Sequence, residues 1–176
     1  TDIRGDTDVQ DTWMPGSYWV MGAAWLSTHL WTHYAYTRDL EFLKKAFPVL
    51  AEASLFFVDF LIDVDGHKMT CPSVSPENSY ILPSGEQGAN GAGVTMDNQI
   101  LRDLFGETLM AARLLPEETV REAVLSIGGN PETFFSEVKK DRDALLPTRI
   151  GSDGRILEWR EEYGEAEPGH RHISHL

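Results

Sequence analysis

The feature that most constrains this chain is an apolar segment without a polar face. Between Ser17 and Tyr36, Trp19, Ala23, Leu26 and Leu30 recur near helical spacing, and Trp25 and His29 fall on a neighbouring stripe. A helix that is apolar almost all round needs neighbours on every side, so the segment predicts an inner, buried helix with Trp25 and Trp31 in its core. Gly22, Ala23 and Ala24 allow another backbone to approach closely. Ser17 is placed to cap the first turn. Trp19 would lie in that turn, beside a polar, turn-rich stretch running from Asp2 to Gly16.

More helices follow. Thr37 to Ile62 has helical spacing at Leu40, Leu43, Phe47, Leu50 and Ser54, continued by Phe56, Phe57, Phe60 and Leu61. Thr37 is placed to cap it, Glu41 suits its first turn, and Pro48 predicts a kink or a break. Thr95 to Leu115 forms a third segment, with Thr95 as cap and Asp97 suited to the positive helix end. Pro116 opens a shorter helix that Gly128-Gly129 ends, and Pro131 opens another that runs to about Leu145. Strand signals are few. They are Asp63 to Gly66 turning into His67 to Thr70, and a small hairpin at 147–159 with Asp153-Gly154 at its turn. Residues 81–94 carry glycines without a phosphate-loop pattern and read as a flap. Glu161, Glu162, Glu165 and Glu167 read as a solvated face. With no βαβ rhythm, the fold class is mainly α, built of antiparallel helical hairpins.

Composition narrows the partners. The formal net charge of −13 argues against nucleic acid and against an anionic membrane surface, both of which need a basic face. The single cysteine, Cys71, excludes an internal disulfide framework and a cysteine zinc cluster. No apolar run approaches a membrane span. The chain opens inside a polar motif and stops after a histidine-rich one, so residues 1–176 are expected to be a fragment of one larger domain, cut at both ends.

The stretch Cys71 to Tyr80, CPSVSPENSY, stands apart from the helices. Its prolines and serines suit neither helix nor regular strand, and Pro76 stiffens the chain immediately before Glu77. A carboxylate on such a loop can be held at one point over a cleft. Together with TDIRGD, WVMGAAWLSTHLWTHYAYTRDLEFL, TMDNQILRDLF and ILEWREEYGEAEPGHRHISHL, this stretch resembles glycoside hydrolase family 95, the inverting α-1,2-L-fucosidases and their relatives. The matching stretches occur in the family's order across nearly the whole chain.

The resemblance implies an (α/α)6 barrel with short strands in its loops, of which this chain would be the central portion. It implies hydrolysis of terminal α-1,2-linked L-fucose or L-galactose with inversion, and Glu77, the glutamate of the SPE motif, as general acid. A fucosylated glycan and the remainder of the barrel would be the partners, with no cofactor and no metal. In that family an asparagine polarised by an aspartate activates the water. Those residues belong to an N-x-N motif upstream of TDIR and a DGN motif downstream of HISHL, which this chain does not contain, so the isolated chain is expected to be inactive. Export to the periplasm or medium is expected from the resemblance alone. Trp19, Asn78, His170 and His172 are the expected sugar contacts, since an aromatic ring packs on the C–H face of a sugar and imidazoles bond its hydroxyls. Asp97 and Glu158 are imaginable as substitute bases without motif support. The histidine cluster lacks a recognised zinc spacing, and a histidine metal site stays as an alternative. A non-catalytic carbohydrate-binding helical module is the alternative for the chain as a whole.

Overall fold

The computed structural model describes residues 14–169. In chain order the elements are α1 (Met14–Ser17), α2 (Gly22–Thr37), α3 (Leu40–Phe60), β1 (Ile62–Val64), β2 (His67–Met69), β3 (Ser73–Val74), β4 (Tyr80–Ile81), β5 (Gln87–Gly88), β6 (Asn90–Gly91), α4 (Thr95–Leu114), α5 (Glu117–Ser126), α6 (Phe134–Ala144) and β7 (Gly164–Glu165). The described chain is mainly α, and its strands are short. It forms two compact units, of which one comprises residues 21–68 and 100–145, and the other residues 14–20, 69–99 and 146–169. None of its described helices is long and apolar enough to cross a membrane.

The helical unit is organised on α3. Leu43, Ala46, Phe47, Leu50, Ala51, Ser54 and Phe57 are all buried, a stripe with the 3.6-residue period of an amphipathic helix. Helices α2, α5 and α6 pack against it. Between α3 and α4 the buried hydroxyls of Ser54 and Thr108 lie 2.8 Å apart, and Thr108 also donates to the Leu50 carbonyl at 3.3 Å. The helix starts at Asp39, whose Oδ1 accepts the Phe42 N–H at 3.0 Å. Asp39 therefore takes the capping role expected of Thr37. The Thr37 hydroxyl instead donates back to the His33 carbonyl at the end of α2, and Arg38 takes the left-handed conformation that ends that helix.

Several sequence expectations are corrected here. The helix expected from Ser17 starts at Gly22, with Met21 at its N-cap and no side-chain cap bond, so Trp19 lies in the connection before it. That helix is not buried all round. Ala24, Ser27 and Tyr34 are buried, whereas Trp25 and Leu26 are 44% and 61% exposed. Among the described residues α3 is its main packing neighbour, and one helix covers only one face of a cylinder. Pro48 does not split α3, which runs on as one helix. Leu40 and Phe56 lie outside its buried stripe and are exposed. Pro116 and Gly128 bound α5 as read, Gly128 with a φ of 80°.

The second unit carries the short strands β3 to β7. β3 pairs with β6, and β4 is the centre of a three-stranded antiparallel sheet with β5 and β7. Residues 81–94 are therefore a hydrogen-bonded part of this layer and not a loose flap. Gly93 turns the chain into α4 with a φ of 72°, and a Cβ there would meet Met69 Sδ at 3.1 Å. The small hairpin expected at 147–159 is present as an antiparallel bridge of Ile150 with Ile156, closed by the Gly151 N–H on the Arg155 carbonyl at 2.8 Å and the Leu157 N–H on the Arg149 carbonyl at 2.9 Å.

Trp25, Leu26, Val49 and Phe56 leave apolar surface on the helical unit. The isolated 176-residue chain is expected to self-associate and to bind an apolar-surface dye. A monomer in sedimentation analysis, with a cooperative melt and little dye fluorescence, would contradict this.

Candidate active site

The SPE stretch forms a tight turn at the end of β3. The Asn78 N–H donates to the Ser75 carbonyl at 2.9 Å, which puts Pro76 and Glu77 at the turn's centre. The Cys71–Pro72 and Pro76–Glu77 peptides are both cis. Glu77 is half-buried there.

The turn is anchored by its next residue. Asn78 is buried, and its amide meets protein groups on both sides. Its Nδ2 donates to Glu158 Oε2 at 3.0 Å and to the Glu167 carbonyl at 3.3 Å. Its Oδ1 accepts from the backbone N–H groups of Ser79 at 2.8 Å and Glu167 at 3.1 Å. Strand pairing continues the connection, with Tyr80 opposite Glu165 and Ile81 opposite Gly164. The acidic stretch 161–167 is thus partly folded in, contrary to the expectation of a solvated face. Glu161 and Glu162 remain exposed, while Glu165 pairs with Arg155 at 3.1 Å.

Glu158 is buried between this stretch and the start of α4. Its backbone carbonyl accepts the Thr95 N–H at 3.1 Å. The Thr95 hydroxyl, expected as a cap, donates to the Leu157 carbonyl. Burial pushes the Glu158 carboxyl up to about 7, against the opposing pull of the Asn78 amide. A carboxyl of this kind keeps its proton until near neutral pH, as a general acid must.

Asp97 lies in the first turn of α4 and is fully buried. Trp19 Nε1 donates to its Oδ1 at 3.1 Å, and the Thr70 hydroxyl to its Oδ2 at 2.7 Å. Burial outweighs these donors and raises the carboxyl to about 6. Half-buried Trp19 is therefore held through its indole N–H, which fixes the ring. The structure thus brings Trp19, Asp97, Glu77, Asn78 and Glu158 into one unit, on segments distant in sequence. His170 and His172 lie outside the described residues, and none of the described residues form a cluster able to hold a metal ion. Sequence reasoning gave Asp97 and Glu158 no firm role, because residue type alone does not reveal a buried carboxyl. Apolar Ile156 and Leu157 before Glu158, and Trp159 after it, were the available signal.

Over residues 1–176 the chain matches the model of the glycosyl hydrolase family 95 catalytic domain. The chain belongs to this family. It is 39% identical to alpha-L-fucosidase 2 of Arabidopsis thaliana over 160 residues, 90% of this chain and 18% of that protein. It is 26% identical to probable alpha-fucosidase A of Aspergillus niger over 160 residues, 87% of this chain and again 18% of the relative. The chain thus spans under a fifth of the length of these relatives.

The buried Asp97 has a consequence for pH. Its folded-state pKa lies above the ordinary value of 3.8, so its contribution to stability is complete below about 3.8 and is lost as pH rises through about 6. Asp97→Asn keeps both contacts, because the Thr70 hydroxyl can turn to accept from the amide. In melts of the full-length protein, the variant should gain stability relative to wild type across that interval, by up to about 1.4 kcal/mol per pH unit. Parallel pH profiles for the two proteins would contradict a proton held on Asp97.

Proposed function

We propose that this chain is part of an α-L-fucosidase, which hydrolyses terminal α-1,2-linked L-fucose or L-galactose from glycans with inversion. The match to the family 95 catalytic domain along the chain, with a relative named alpha-L-fucosidase 2 at 39% identity, carries this reading. The mainly α fold supports placing these residues in an (α/α)6 barrel whose other helices belong to the rest of a longer protein.

In this reading Glu77 is the general acid and protonates the departing glycosidic oxygen. Inversion needs a second group to activate water from the opposite side of the sugar. The family's asparagine–aspartate pair would supply that group from outside this chain. Trp19 offers its ring to the sugar, oriented by Asp97. Asn78 sets the Glu77 turn against Glu158, and His170 and His172 bond sugar hydroxyls. In the full-length protein, His170→Ala or His172→Ala should weaken substrate binding, and a chelator should leave activity unchanged. Loss of activity on chelation with recovery on added zinc would favour a metal site instead.

Burial and a carboxyl held near pH 7 favour a second assignment, with Glu158 as the acid. Paired substrates separate the two. In the full-length protein, Glu77→Gln should lower turnover of a fucosyl disaccharide by on the order of 10²–10⁴-fold. It should slow fucosyl fluoride much less, because fluoride leaves with little protonation. Glu158→Gln should slow both substrates alike if Glu158 only supports the turn. The reverse pattern would make Glu158 the acid. A wild-type protein that binds fucosylated glycans without cleaving them would replace the enzyme reading with a carbohydrate-binding module.

A further inference from the structure

We propose that an aromatic cavity beside Glu158 binds the sugar that carries the cleaved residue, a neutral pyranoside on the leaving-group side. This rests on the glycosidase reading above. The cavity has a volume of about 160 Å³ and is bordered by Tyr80, Trp159, Arg160, Glu161 and Tyr163, together with the small residues Gly91 and Ala92. A smaller cavity, bordered by Glu158, shares Trp159, Glu161 and Tyr163 with it.

The aromatic rings are fixed in place. Tyr80 stacks on Tyr163 with centroids 4.6 Å apart and meets Trp159 edge-on at 5.7 Å. The Tyr80 hydroxyl donates to the Asn90 carbonyl at 2.9 Å. Gly88, its cross-strand neighbour, lies so close that a Cβ there would approach the Tyr80 ring to 2.5 Å. Tyr80 is therefore sandwiched between Gly88 and Tyr163, and the half-buried Tyr163 is left as the ring for a ligand to stack on.

The lining also selects a chemical class. It offers a cation at Arg160 and an anion at Glu161, 3.4 Å apart, and so favours no strongly charged ligand. Donors and acceptors of this kind suit vicinal hydroxyls, and the rings suit the apolar face of a pyranose. Trp159 is buried, and its indole N–H has no acceptor among the described residues. A planar charged ligand such as a nucleotide would need a phosphate cradle, and this lining has none.

The test compares two substrates in the full-length protein, a fucosyl oligosaccharide and fucosyl fluoride, the latter having no sugar on the leaving side. Tyr163→Ala should lower kcat/KM for the oligosaccharide more than for the fluoride by about tenfold, the cost of one stacking face. Tyr163→Phe keeps the ring and should recover most of that difference. Equal losses on both substrates, or no loss on either, would overturn the subsite and leave the cluster as core packing. If the wild-type protein cleaves neither substrate, the glycosidase reading fails and calorimetric titration with the defucosylated oligosaccharide decides separately. Binding that Tyr163→Ala abolishes and Tyr163→Phe retains would support the subsite, and absence of binding would overturn it.

Discussion

One buried amide–carboxylate contact holds the candidate site together. Asn78 and Glu158 are 80 residues apart in the chain, and both are buried. A buried polar group without a partner costs about 1–3 kcal/mol, so each of these groups makes the other's position affordable. The contact is reinforced by the Glu167 backbone on the same amide and by the pairing of β4 with β7. Between them they fix the turn that carries Glu77, the edge of the aromatic cluster and the entry to α4. A serine–proline turn alone would fix only its own four residues.

The electrostatics of this unit follow burial more than charge count. The chain is strongly acidic overall, yet the largest influence on both Asp97 and Glu158 is loss of water. Asp97 receives two side-chain donors and lies at the positive end of a helix, and its carboxyl is still raised. Glu158 has the Asn78 amide against its carboxylate and is raised further. Neither value requires an unusual chemical group; each requires only that other segments cover a carboxyl.

Much of the helical framework was legible in the residues. Thr95 to Leu114 follows the apolar spacing almost to the residue, and proline and glycine mark the ends of α5 because their backbone restrictions are local. The exposure of α2 was not legible, since an apolar pattern tells what a helix can bury and not which neighbours are there to cover it. The cap at Asp39 and the unbroken α3 around Pro48 turn on competition between adjacent candidates. The SPE turn was readable from Pro76 and Glu77. The partner of its Asn78 was not, because strand pairing and side-chain contacts over 80 residues leave no trace in local pattern.

The hydroxyl pair Ser54–Thr108 has an evolutionary consequence. Each oxygen is buried in the helical unit and is satisfied by the other or by the Leu50 carbonyl. Replacing one by alanine strands its partner, whereas replacing both with apolar groups of matching shape is nearly neutral. Drift at these two positions is therefore coupled: single changes on α3 or α4 pass through a less stable intermediate that a paired change avoids. Among family members the two sites are expected to switch together between a polar and an apolar state, and a mixed pair should mark a sequence caught between them.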